Sequence, residues 1–291
     1  MHINAHRMER ILKISSWLYA VAIAGLAVQQ FAYGDFRPVV VPATWPAWLH
    51  LWSIWAYLSG AVLLAAAVLL VMGKRRRSIA MGLALVFLVL LLVFQVPYFL
   101  FVSEYAPIHL GLWSDPLREL ALSGGAMVLA SAYWRIPHRG LDPEAPLRNG
   151  VMSVGRLFFS VMLIAFGVDH FYYATTVATL IPRWIPWRYL WIYATGIILV
   201  CAGVCMLLKI RLAQVSLLTA VMLSAWLLLL HIPEAIRLPR VDQGAAISRA
   251  FEVMAFIGTA LVLYGKHSHR VSPEDMPSVT GTPGQSPLAA G

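Results

Sequence analysis

An acid and an imidazole stand side by side in "AFGVDHFYYA", residues 165–174, inside a run that is otherwise apolar. Asp169 and His170 are joined by two more ionisable residues in similar surroundings, His231 in "LLLLHIPEAI" and Glu252 in "RAFEVMAFIG". A carboxylate near the centre of a membrane helix costs about 3 kcal/mol, so such residues mark places where something is done with them. Imidazole gains and loses a proton near neutral pH, and a neighbouring carboxylate can orient it. Three readings are open for His170 and His231: structural hydrogen bonding, proton handling, and ligation of a metal or haem. The sequence has no His pair four residues apart on a helix and no Cys–His cluster, so no metal or haem is assigned.

The elements that carry these residues follow from composition. Hydrophobic residues make up 60% of the chain and charged ones 12%, with a mean hydropathy of +0.75. A soluble domain carries about 25% charged residues. Apolar runs long enough for about 30 Å of hydrocarbon recur near 12–33, 48–72, 79–102, 117–134, 154–175, 189–208, 212–232 and 249–265. In lipid, backbone polar groups must be satisfied within the segment, so these runs are helices. The expected fold is an all-α polytopic membrane protein with eight transmembrane helices.

Charge gives the orientation. Residues 1–11, "GKRRRS" (73–78), the segment 135–153 with Arg156 beyond it, "KIR" (209–211) and the tail from Lys266 hold most of the 22 lysines and arginines. With both termini cytoplasmic, these segments share the inner side. The net charge of +9 is scattered over short loops, which argues against nucleic acid as a partner and leaves membrane lipid. Cys201 and Cys205 lie four apart on one helix, a spacing unsuited to a disulfide. The first apolar run has a basic flank but no A-x-A cleavage site, so it is read as a retained helix.

The chain reads as one unit written twice. With Phe31 placed over Phe171, "GLAVQQFAYG" (25–34) aligns with "AFGVDHFYYA" (165–174) and "VPATWP" (41–46) with "IPRWIP" (181–186). Further on, "WAYLSG" (55–60) matches "WIYATG" (191–196), "FQVPYF" (94–99) matches "LHIPEA" (230–235), and Glu119 falls over Glu252. An ordered series of rare residues is the signature of an internal repeat. It divides the chain into a first four-helix membrane unit (1–136), a cytoplasmic linker (137–150), a second unit (151–266) and a disordered tail (267–291). Each unit has an even number of helices, so the two are parallel four-helix bundle repeats.

The repeat also compares the polar residues. Asp169 lies 13 residues beyond Arg156, about 20 Å up its helix at ~1.5 Å per residue, in the outer third of the bilayer. His231 closes its helix and Glu252 opens the next at that same level. Their counterparts in the first unit are Gln29, Gln30, Gln95 and Glu119. Glutamine makes hydrogen bonds but does not titrate, so proton chemistry is confined to the second unit, on His170, His231, Asp169 and Glu252. The loops "VPATWPAW" (41–48) and "IPRWIPWRYLW" (181–191) place prolines four apart among tryptophans. They read either as an interfacial aromatic belt or as a short segment roofing a pocket with Trp184, Trp187, Arg183 and Arg188, the arginines meeting lipid phosphate or Asp169.

"GRLFFSVMLIAFGVDHFYYA", "IPRWIPWRYLWIYATG" and "LLLLHIPEAI" together resemble the DoxX-like family of four-helix bacterial membrane proteins. The second unit follows the pattern closely, with Gly167 and His170 at the Gly-x-x-His spacing; the first unit lacks both histidines. The resemblance implies a bacterial inner-membrane protein that serves as a subunit or accessory of a redox system, with a quinone as ligand and a redox partner protein. In that reading His170 and His231 handle protons, Asp169 orients an imidazole, Glu252 passes protons outward, and the loop residues roof a quinone pocket. No flavin, iron–sulfur or nicotinamide fingerprint accompanies it. The alternative is a non-enzymatic small-molecule transporter or membrane scaffold.

Overall fold

The computed structural model describes residues 5–43, 45–103, 110–134, 141–182 and 184–268. Its long helices are α1 (Ala5–Tyr33), α3 (Ser53–Met72), α4 (Arg76–Val102), α5 (Ser114–Ala132), α6 (Ala145–Tyr172), α8 (Arg188–Leu207), α9 (Leu212–Arg237) and α10 (Ala245–Ser268). Two short helices, α2 (Ala47–His50) and α7 (Ala174–Leu180), lie in the connections after α1 and α6. Among the described residues there is no strand.

The helices are apolar inside and out, which defines the solvent they are built for. In α3 the buried residues Ala56, Gly60, Leu63, Ala67 and Leu70 recur every three or four positions and form one inward stripe. Trp55, Leu58 and Val62 on its other faces are exposed, as are Val89 and Leu92 on α4, Ile197 and Ile198 on α8, and Leu218 and Val221 on α9. A water-facing helix would be polar there; these outer faces suit hydrocarbon. Seven helices are long and apolar enough to cross a bilayer among the described residues. The chain is thus an α-helical, multi-pass membrane protein.

The run near 117–134 falls outside those seven. It corresponds to α5, in which every residue from Ala121 to Ala132 is buried. Surrounded by other helices, α5 has no need of lipid-facing leucine and is made largely of Ser, Gly and Ala, which let neighbouring backbones come close.

Packing follows a circuit. The principal contacts are α1 on α3, α4 on α5, α5 on α6, α6 on α8, α9 on α10 and α10 on α1, with slighter contacts of α3 with α4 and α8 with α9. At the centre α5 also meets α10. The last long helix of each half therefore lies against the first long helix of the other.

Both α4 and α9 contain a widened turn before a proline, and α4 has a second at its end, Tyr98–Val102. Val96 N–H donates to Leu91 O and Ile232 N–H to Leu227 O, each five residues back instead of four. Proline causes it: Pro97 and Pro233 lack an N–H and crowd the preceding turn, and the helix absorbs the clash by opening. The wide turns before the prolines end on Gln95 and His231. At that point they rotate the two side chains relative to a regular helix.

Candidate functional site

Helices α5, α6, α8, α9 and α10 enclose a cavity of about 600 Å3 at one end of the bundle. Asp169 and His170 reach it from the last turn of α6, His231 from the wide turn of α9, and Glu252 from the second turn of α10. The four ionisable residues singled out in the second unit thus line one space. Its deeper wall is apolar, with Met162, Leu163, Leu199, Met222 and Phe256. From His170 back to Met162 is eight residues, so the pocket extends about 12 Å along α6 at ~1.5 Å per residue. A polar mouth and an apolar floor are the shape of a site for an amphipathic molecule, and the volume falls in the ~300–1,000 Å3 range of small-ligand pockets.

Close helix packing fixes His170. At Gly167 an added Cβ would lie 2.7 Å from Gly196 O, so α6 and α8 touch backbone to backbone one turn before the imidazole. His170 Nδ1 lies 2.7 Å from Phe166 O. A carbonyl only accepts, so Nδ1 carries the hydrogen, and the neutral ring keeps its Nε2 lone pair free. His231 Nδ1 and Asp169 Oδ1 are buried and have no partner among the described residues.

Arginines on the wall were not anticipated. Arg118 of α5 donates to Glu252 Oε2 at 2.9 Å and also bonds Asp115. Arg249 donates to Glu234 at 2.7 Å. Arg118, Arg249, Glu234 and Asp242 all line the cavity. Arg249 precedes Glu252 by three residues and shares its helix face, a signal open to sequence reading. Arg118 belongs to the first half, and no feature of the second unit's sequence points to it.

The segment after α6 is a roof, although not by the residues expected. Val177, Leu180 and Ile181 line the cavity, held by a small core of Ala174, Ala178, Ile181, Ile185 and Ile192. Trp184 and Trp187 are exposed and, with half-buried Arg188, are not part of the lining. Arg183 lies outside the described residues. Asp169 makes no ion pair with Arg188. Among the described residues no group of three or more His, Cys, Asp or Glu is placed to hold a metal ion.

No protein-family model, curated protein or solved structure matches the chain.

The first half is built differently at the corresponding place. Its cavity of about 360 Å3 is lined by Phe36, Val41, Trp55, Leu63, Phe94 and other apolar residues, with Ser59 the one polar residue of the lining among the described residues. Gln95, which the sequence comparison of the two halves sets against His231, donates from Nε2 to Pro38 O at 2.7 Å and ties down the connection after α1. Arg37 of that connection is fully buried, lies over the Tyr33 ring and donates to Ser248 Oγ at 3.2 Å and Gln243 O at 2.7 Å. Ser248 in turn donates to Gln29 Oε1 at 2.6 Å. Gln95 and Gln29 Oε1 make structural hydrogen bonds here, while Gln30 has no side-chain partner among the described residues; in the second half the imidazoles line open space.

Proposed function

We propose that the protein binds a quinone-type amphiphile in the second-half cavity, as a subunit or accessory of a membrane redox system. One observation carries this reading: His170, His231, Asp169 and Glu252, from three helices, line a single pocket with a polar mouth and an apolar floor. The orphaned polar atoms Asp169 Oδ1 and His231 Nδ1 fit a ligand that hydrogen-bonds at its head. A bound quinone or quinol supplies the electron chemistry, and electrons pass to or from a partner protein. His170 Nε2 and His231 exchange protons with the head, Asp169 sets the charge beside them, and the deeper apolar wall holds the ring and tail away from water.

Pairing with Arg118 changes the part given to Glu252. It is an anchored acceptor at the pocket wall, and outward proton passage falls to the solvent-facing mouth with Asp242. Resemblance to the DoxX-like pattern supports the same reading. So does the tandem repeat of two parallel four-helix units, itself favoured by the matching wide turns and helix-packing order of the two halves. In this proposal α5 is an eighth, protein-shielded span, both termini are cytoplasmic and the cavity opens on the outer side of a bacterial inner membrane.

The test is to purify the protein in lipid nanodiscs and titrate a short-chain quinone, with the His170→Gln and His231→Gln variants in parallel. Saturable binding at one site per chain, with proton uptake on reduction of the bound quinone slowed in both variants, is the expected result. Unchanged binding and proton uptake in both variants would sink the proton-handling role. Saturable solute flux into vesicles without quinone binding would make the protein a transporter, and neither flux nor binding would make it a scaffold.

A further inference from the structure

The cavity wall specifies the chemistry of the head group it receives. Five buried polar atoms without protein partners belong to residues that line it: Asp169 Oδ1, Trp226 Nε1, His231 Nδ1, Arg249 Nε and Glu252 Oε1. They come from three helices, α6, α9 and α10. Nine more such atoms lie elsewhere among the described residues, but these five share one lining, where an occupant would satisfy them.

The roles of several are fixed. Indole Nε1 and guanidinium Nε can only donate. Glu252 is bonded to Arg118 through its other oxygen, so Oε1 is the free acceptor of a paired carboxylate. His170 is bonded to Phe166 O through Nδ1 and offers Nε2 as an acceptor as well. The wall therefore holds both unpaired donors and unpaired acceptors. A carbonyl oxygen satisfies only the donors and a hydroxyl satisfies both.

Charge narrows the class further. Each arginine of the lining is already answered by a carboxylate, Arg118 by Glu252 at 2.9 Å and Arg249 by Glu234 at 2.7 Å. Asp169 and Asp242 also face the space and make no ion pair among the described residues. An anionic head would meet neutralised cations and unpaired acids.

We infer that the cavity selects an uncharged, hydroxyl-bearing head, such as that of a hydroquinone, over its carbonyl form and over anions. This rests on the reading that the cavity is a ligand site.

Binding to the purified protein in nanodiscs, measured anaerobically by calorimetry, tests it with four probes on one short alkyl tail. These are a para-hydroquinone, its dimethyl ether, the parent quinone and an alkylbenzoate anion. The hydroquinone is expected to bind at least about tenfold more tightly than the ether and the quinone, because hydroxyl-binding sites reject analogues that leave buried groups unpaired. The benzoate is expected to bind weakest. Trp226→Phe, which removes one donor and keeps an aromatic ring, is expected to weaken every probe that accepts from it and to leave the ranking intact. Ether or quinone binding equal to or tighter than hydroquinone overturns this inference while leaving the site reading in place, as does tightest binding of benzoate. Failure of all four probes to bind overturns the ligand-site reading itself.

Discussion

Arg118, on the last long helix of the first half, donates to Glu252, on the last long helix of the second, across 2.9 Å. Glu252 is almost wholly buried and the Arg118 side chain nearly so, at 1% and 16% exposure. Removing one member strands the other in a low-dielectric setting, which costs about 3–5 kcal/mol for buried pairs. Arg118→Met is therefore expected to lower the Tm in detergent sharply. Arg118→Met with Glu252→Gln should regain part of the loss, since no lone charge remains. Equal Tm for the single variant and the parent would show that the pair is not structurally coupled.

Gly167 and Gly196 permit the closest approach of α6 and α8. A Cβ on Gly167 would meet Gly196 O at 2.7 Å and Val200 N at 2.8 Å, both backbone atoms that cannot swing aside. Gly167→Ala should destabilise by about 1–3 kcal/mol, as overpacking does. Gly82 in α4 has nothing within 4 Å of the added atom. Gly82→Ala is expected to be neutral or to gain up to ~1 kcal/mol of helix propensity. Thermal unfolding of the two variants side by side measures the contrast.

Ser248 links Arg37 to Gln29 and so ties the connection after α1 to α10. Ser248→Ala leaves the guanidinium Nε and the Gln29 amide oxygen buried without partners. An unsatisfied buried group costs about 1–3 kcal/mol, and a loss in that range is expected. Hydrogen exchange should quicken at residues 36–41 in this variant; unchanged exchange there would show that the link does not hold the segment.

Orientation is checked by cysteine labelling. With Cys201 and Cys205 replaced by Ser, a cysteine is introduced at exposed Lys74 or at exposed Trp187. An impermeant maleimide added to intact cells is expected to label the Trp187→Cys protein and not the Lys74→Cys protein. The reverse pattern would turn the cavity toward the cytoplasm.

The residues most legible in the sequence were those whose presence in an apolar run is costly. Asp169, His170, His231 and Glu252 stood out for that reason, and their placement at helix ends was enough to bring them to one level. Arg118 is not legible, because its partner lies 134 residues away and the residue set against it when the two halves are aligned is Phe251, an apolar one. Phe251 instead packs against Gly25 of α1. Tryptophans dominate the loop after α6, yet Ile181 and Ile185 are the residues turned inward while Trp184 and Trp187 face out. Alternation of Ile with Pro and Trp held that information, and hydropathy alone does not say which side of an interfacial loop is up. Helix α5 posed the opposite difficulty: shielded by protein, it needs less apolar character than a span in contact with lipid.

The crossed arrangement of α5 and α10 has a bearing on how the chain can be cut. A break in the segment that joins α5 to α6 would leave two polypeptides, each missing a helix that its first long helix packs on. The C-terminal fragment would carry both imidazoles but lack the guanidinium that holds Glu252, so its pocket wall would be unfinished. Co-expressed fragments are expected to find each other in the bilayer and restore one complete receptor, whereas either alone would be taken for a misfolded protein and degraded.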